Sequence, residues 1–264
     1  MIAAALALLA AAAAAREIGP GDLSALPPAQ VVVLGEVHDN PLHHANQAAA
    51  VAALAPGALV FEMLTPDQAA LVTPLSIGDA AALADALQWE ASGWPDFTLY
   101  HPIFLAAPGA RIYGAAFDRE AISGAAKEGA AAVFGPEAAR FGLAKPLAEP
   151  DVADRIAEQA EAHCDALPPE MLPGMVEVQR LRDAGLARAA LQALVETGGP
   201  VAVITGNGHA RSDRGMPAAL AAAAPEVTIL SVGQFESPPE GDPPFDLWLV
   251  TAPAEREDPC AAFR

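Results

Sequence analysis

Three short stretches of this 264-residue chain place imidazole and carboxylate groups directly after apolar runs. Gly35-Glu36-Val37-His38-Asp39-Asn40 follows Val31-Val32-Val33-Leu34, Glu62 follows Ala58-Leu59-Val60-Phe61, and Thr205-Gly206-Asn207-Gly208-His209 follows Val201-Ala202-Val203-Ile204. Ligands of open parallel sheets gather outside the carboxyl ends of the strands, so chemistry is expected at these positions. Glu36 and His38 share a face if the extended backbone continues past the strand. Glycine at the head of each Gly-x-x-His motif, Gly35–His38 and Gly206–His209, permits a tight turn that exposes the side chain after it. Imidazole with carboxylate suits a first-row divalent cation, which makes His38, Glu62 and His209 the candidate metal ligands; the residue types do not choose among zinc, manganese, iron and cobalt. A metal there would lower the pKa of a bound water, with Glu36 or Glu62 as general base. Gly206-Asn207-Gly208 begins a dinucleotide fingerprint but has Arg211 at the third glycine, and neither a Gly-x-Ser-x-Gly elbow nor a glycine-flanked cysteine supplies a nucleophile.

The elements that must position these residues are legible as alternating strands and helices. The runs at 31–34, 58–61, 111–114, 201–204 and 227–232 read as strands without polar alternation, as parallel strands covered on both faces do. Phe245–Val250 reads as an edge strand. Helical patterns lie between them, from Pro41 to Leu54, after Thr65-Pro66-Asp67, around 79–90, from Pro102 to Ala107 and from Pro217 to Ala223. Between Glu120 and Val195 no strand pattern occurs, so a helical insert is expected at about 120–197. The predicted architecture is an α/β fold: a mostly parallel sheet flanked by helices, with a small helical subdomain before the later strands, in one domain spanning 16–264.

Lys and Arg number 14 against 33 Asp and Glu, a net charge of −19 that repels phosphate backbones and anionic membrane surfaces. Nucleic-acid binding is excluded on that ground, and a hydrophobic share of 53% with 18% charged residues excludes a disordered chain. Residues 1–15, MIAAALALLAAAAAA, are shorter than the ~20 residues of a membrane span. They read as a signal peptide with small residues before Arg16 but without a basic start; a buried alanine-rich helix is the alternative. The expectation is therefore an exported protein, periplasmic or associated with the cell envelope, with no membrane span after cleavage. No lipobox cysteine follows the run. The two cysteines, Cys164 and Cys260, can be a disulfide or two free thiols, and the pair is the expectation carried forward.

The Gly35 to Asn40 motif with His43, His44 and Gln47, then Phe61-Glu62-Met63 and Gly206-Asn207-Gly208-His209, resembles the ChaN-like haem-binding uptake family, related to the Tiki, TraB and erythromycin-esterase superfamily. Gly93-Trp94, Tyr100, the stretch from Gly114 to Arg119, His163-Cys164 and the segment with Met175, Gln179 and Arg182-Asp183 are similar to the same pattern. The resemblance runs from about Val31 to Val232. It implies an α/β fold with a helical subdomain, export, and haem binding linked to iron uptake. From the metalloprotease relatives it also implies a divalent-metal site on His38, His209 and Glu62. The absent lipobox cysteine and the Phe117-Asp118 sequence depart from the family pattern.

Haem needs an apolar slot and an axial ligand of the tyrosine, histidine or methionine type. Tyr100 and His101, flanked by Trp94 and Phe104, are the candidate haem-binding residues, with a core tyrosine whose hydroxyl is hydrogen-bonded as the alternative for Tyr100; His163, Met171 and Met175 of the insert are further donors, Met175 at helical spacing from Met171 reading equally as core packing. Three readings follow: an exported haem-binding protein, in which a homodimer could enclose the flat ligand; a metal-dependent hydrolase with Glu36 or Glu62 as base; or a catalytically silent structural protein.

Overall fold

The computed structural model describes residues 15–258, 260 and 261; apart from Ala15, the expected signal peptide lies outside the described residues. Seven strands form one sheet, and every pairing in it is parallel. They are β1 (Arg16–Glu17), β2 (Val31–Leu34), β3 (Ala58–Phe61), β4 (Arg111–Gly114), β5 (Val201–Ile204), β6 (Ile229–Phe235) and β7 (Leu247–Val250), in the spatial order β1-β7-β6-β2-β5-β3-β4. The central strands β2, β3 and β5 are buried along their whole length, which is why their sequences are apolar at every position.

Alternation of side chains across the sheet builds two cores. Val31, Val33, Val60 and Val203 face Leu181, Ala184 and Ala187 of the long helix Leu172–Thr197 and Leu220 of the helix Met216–Ala223. Val32, Leu34, Leu59, Phe61 and Ile204 face Ala50 and Val51 of α1 (Pro41–Leu54) and Phe97, Tyr100, Ile103 and Phe104 of the helix Phe97–Ala106. Each such fully buried aliphatic or aromatic side chain contributes roughly 1.5–3 kcal/mol.

In chain order the remaining helices are α2 (Pro66–Ala69), α3 (Ala80–Ala86), α4 (Trp89–Ser92), α5 (Phe97–Ala106), α6 (Arg119–Glu128), α7 (Ala130–Phe134), α8 (Glu149–Ala162), α9 (Leu172–Thr197), α10 (Asn207–Ala210) and α11 (Met216–Ala223). Three expectations change. The helix expected to open at Pro102 begins a turn and a half earlier, because Asp96 caps it by accepting from Thr98 N–H at 2.8 Å, and Pro102 sits inside it. The strand expected at the edge, β7, has β1 outside it; two charged residues gave no apolar signal for that pairing. The stretch expected as an insert holds α6 to α9 and no strand, but α9 is not detached from the sheet, since its apolar face closes one of the two cores.

After β7 the chain crosses the carboxyl edge of the sheet. Arg256 clamps both carboxylate oxygens of Asp39 at 2.6 and 2.7 Å and both of Glu236 at 2.6 and 2.7 Å. Cys260 then bonds to Cys164 just past the end of α8, 96 residues away in sequence. A loop of that length constrains the unfolded chain strongly, so reduction, or Cys164→Ser with Cys260→Ser, is expected to lower stability by about 4 kcal/mol in the chain-entropy account. Guanidinium unfolding of oxidised and reduced protein measures this; equal midpoints would show that the bond constrains nothing.

Candidate functional site

Register sets the site. Leu34 and Phe61 both pair with Ile204, so the carboxyl ends of β2, β5 and β3 are level in three adjacent strands. The residues after them, Gly35-Glu36, Thr205-Gly206 and Glu62, therefore emerge side by side. Continued alternation turns Glu36, in phase with Val32 and Leu34, toward α1 and α5, and Glu62, in phase with Ala58 and Val60, toward α9.

The two Gly-x-x-His loops interlock, and each needs the other's glycine. A Cβ on Gly206 would stand 2.8 Å from Nε2 of His38, and a Cβ on Gly35 would collide with Oδ1 of Asn207. Asn207 holds β6 through both amide atoms: its N–H donates to the Gln234 carbonyl at 2.5 Å and its oxygen accepts from Gln234 N–H at 3.1 Å. The motif glycines are thus places where backbone approaches side chain too closely for any other residue.

On the α9 side the site is sealed. His209 lies between two carboxylates, Nδ1 2.7 Å from Asp183 Oδ1 and Nε2 3.4 Å from Glu62 Oε1. Glu62 Oε2 accepts from the Thr205 hydroxyl at 2.7 Å and from Gly206 N–H at 2.8 Å. Burial works against a charged imidazole, but the charges of Glu62 and Asp183 outweigh it and push His209 up to about 10. Burial likewise pushes Glu62 up, and His209 with the Thr205 hydroxyl reverses this, holding the carboxyl well below its usual range. Asp183 is pushed up by burial, an effect His209 offsets in part.

On the α1 and α5 side the site opens. Glu36 is fully buried, and its Oε1 accepts from His38 Nδ1–H at 2.7 Å and from the Tyr100 hydroxyl at 2.9 Å. His44 Nδ1 lies 3.4 Å from Glu36 Oε2, while its Nε2 meets the His38 carbonyl at 2.8 Å. Val37 N–H donates to His43 Nδ1 at 2.8 Å, so His43 is a neutral acceptor, and burial lowers it to about 4. Against the desolvation it suffers, His38 is held above the ordinary imidazole value by Glu36 and Glu62. Its ring lies edge-on to Trp94 at 4.9 Å between centroids, and 35% of its side chain is exposed.

Next to this edge is a cavity of about 800 Å³, lined by Val37, Gln179, Asp183, Asn207 and, on the outer wall, Gln159 and Ala162 of α8. No residue of α8 is fully buried. Ion pairs pin the helix across the cavity, Glu158 to Arg211 at 2.9 Å and to Arg214, and Asp151 to Arg214 at 3.5 Å, and the disulfide holds its end.

The expected metal ligands come together only in part. Glu62 and His209 touch, and His38 lies beside Gly206, but His209 engages carboxylates with both ring nitrogens and His38 engages Glu36. Among the described residues, no group of three or more His, Cys, Asp or Glu side chains is placed to hold a metal ion. Tyr100 is a core residue in this structure: with Phe97, Ile103 and Phe104 it forms the buried face of α5, has no exposed surface, and donates its proton to Glu36. Burial and Glu36 push its hydroxyl far above the ordinary phenol value, which disfavours a phenolate. His101 packs on Phe97 and commits Nε2 to the Ile77 carbonyl at 2.8 Å. His163, half-buried at the end of α8, ties Nδ1 to the Gln159 carbonyl at 2.8 Å. Met171 is exposed and Met175 half-buried. Sequence reasoning missed Asp183 as the partner of His209, although an acid among the apolar positions Leu181, Ala184 and Leu186 was a signal for it.

The charged state of His209 is testable. Its stabilising effect is present in full below the ordinary imidazole pKa of ~6.5 and is lost as pH rises through about 10. Nitrogen-15 NMR should show His209 doubly protonated at pH 8, and Asp183→Asn should lower its midpoint by about 1–3 pH units. A neutral His209 at pH 8 in the wild type would contradict the arrangement.

Comparison with known proteins agrees with this fold. The family model described as "Haem-binding uptake, Tiki superfamily, ChaN" matches residues 23–220. The solved structure described as "Cofacial heme binding to ChaN of Campylobacter jejuni" superposes with a TM-score of 0.60 at 22% identity, over 83% of this chain and 86% of that one. The type III effector HopBA1 aligns at a TM-score of 0.45 and 12% identity, over 89% of this chain and 92% of that one. No curated relative matches the chain. With three quarters of its length under one family model and the fold shared with a ChaN structure, the chain belongs to the ChaN family of haem-binding uptake proteins in the Tiki superfamily.

Proposed function

We propose that this protein binds haem at the carboxyl edge of its sheet and serves haem or iron uptake from an exported location. The observation that carries the reading is the cavity of about 800 Å³ at that edge, in a chain that matches the haem-binding family model from residue 23 to 220. A cavity of this size suits a ligand of porphyrin dimensions. The donor chemistry fits as well. His38 and His163 each tie Nδ1 to an acceptor and have no hydrogen bond on Nε2, and neither Nε2 is among the sealed, unpartnered polar atoms. An imidazole with Nδ1 on an acceptor and Nε2 free of hydrogen bonds can offer that nitrogen to iron. The Trp94 ring lies edge-on to His38 beside this edge.

When bound, the haem iron would supply its redox and ligand-exchange chemistry; this chain contributes donors, apolar surface and a fixed edge. The Cys164–Cys260 disulfide supports an oxidising compartment. Among the described residues no helix is long and apolar enough to cross a membrane. A second copy of the chain is the partner proposed to cover the outer face of the ligand. The hydrolase reading has less support, because Glu36 is fully buried and already accepts two hydrogen bonds.

Titration of the purified protein with haemin should give a saturable, shifted Soret band, and light scattering should show the mass double on loading. Absence of any spectral change in folded protein would overturn the haem reading, and an unchanged mass would remove the dimer from it.

A further inference from the structure

We propose that a second cavity, at the carboxyl end of β4, binds a small zwitterion of the apolar α-amino acid class, with Arg188 holding its carboxylate and Asp67 and Asp118 its ammonium group. The inference does not rest on the haem reading. It begins with Arg188, which leaves α9 half-buried, its guanidinium 4.3 Å from the ring centroid of Phe134 and 5.8 Å from that of Phe117. The rings favour the cation but leave its five N–H donors without ordinary acceptors. Among the described residues, no hydrogen bond or ion pair reaches Arg188. The acids lining the neighbouring groove are engaged elsewhere, Glu137 with Arg140 at 3.5 Å and Glu196 with Arg111 at 2.7 Å and the Tyr113 hydroxyl at 2.9 Å. A chain of net charge −19 has carboxylates in plenty and turns none of them to this guanidinium. The fork of an arginine suits a planar carboxylate, which it can hold by two parallel bonds.

The cavity measures about 390 Å³ and lies between the turn that leaves β4 and the α9 face of Gly185, Arg188 and Gln192. Its lining includes none of His38, Glu62 and His209. The turn approaches α9 so closely because Gly185 has no side chain: a Cβ there would collide with the Phe117 ring. That docking makes Phe117 both an apolar wall of the cavity and one of the two rings beside the guanidinium. Asp67, in the first turn of α2, and Asp118, the cap of α6, line the same cavity and are exposed. Asp118 commits one carboxylate oxygen to Ala121 N–H at 2.8 Å, and neither acid pairs with Arg188. One cavity thus holds a cation and two anions that do not touch. A purely anionic ligand would be repelled by the aspartates, and a purely cationic one would leave the guanidinium open; a zwitterion answers both ends. Phe117, Ala115 and Ala121 would cover an apolar side chain, and the volume is at the small end of the range for ligand pockets.

Isothermal titration calorimetry of the full chain, with leucine, valine and phenylalanine as probes, tests this. At least one of the three should bind saturably. For that amino acid, the matched acid lacking the amine and the matched amine lacking the carboxylate should each bind at least about 10-fold more weakly. This comparison uses the wild type, so it decides the proposal even where a variant fails to fold. Arg188→Lys keeps the charge and the stem but not the fork, and should weaken binding at least about 10-fold. Asp67→Asn with Asp118→Asn should do the same, since asparagine retains the cap of α6. Haemin uptake by Arg188→Lys should equal that of wild type, and a loss of uptake in the folded variant would overturn the separation of this site from the haem edge. No binding of any of the three probes, or binding that Arg188→Lys leaves unchanged, would overturn the site. An amine-free acid that binds as tightly as its amino acid would overturn the part given to the two aspartates.

Discussion

The close approach of two backbone turns at the carboxyl edge of the sheet is the constraint on which the site depends. β2 and β5 are neighbours in register, so the turns that leave them occupy the same small volume. Glycine at positions 35 and 206 lets Asn207 and His38 fill the space that side chains there would take. Once the turns interlock, the histidine at the end of each is fixed relative to the other strand, and neither motif can be understood singly. Asn207 carries the same constraint to β6, and the level end of β3 brings Glu62 to the junction.

Strand alternation then divides the labour. Glu62 falls on the α9 side, where it and Asp183 surround His209 in a sealed, charged group that has both ring nitrogens occupied. A buried imidazolium between two carboxylates is stable only as a complete set, because removing one member leaves an uncompensated charge in a low dielectric. It acts as the fixed base of the site. Glu36 falls on the other side, among Tyr100, His44 and His38, and there only the last ring reaches solvent. The same two residue types, imidazole and carboxylate, are thus structural on one face and available on the other.

Much of this was legible in the sequence. Unbroken β-branched runs announced buried parallel strands, and the Gly-x-x-His motifs after two of them placed two histidines at the carboxyl edge of the sheet. Residues whose role depends on packing across distant elements were not legible. Tyr100 could be read from sequence as a haem donor or as a core tyrosine, and the helix was read only from Pro102; the cap at Asp96 starts the helix earlier and puts Tyr100 on its buried face. Asp183 sits 26 residues from His209, and only the docking of α9 on the sheet brings them together. The metal reading of His38, Glu62 and His209 anticipated that Glu62 and His209 meet, but not that Glu36 and Asp183 hold Nδ1 of His38 and of His209.

The central claim is that the open half of this edge receives haem. An anomalous difference map at the iron edge, from crystals grown with haemin, tests it most directly. The account predicts an iron peak in the cavity beside the carboxyl ends of β2 and β5. A peak on the outer surface away from that edge, with the cavity empty, would contradict it.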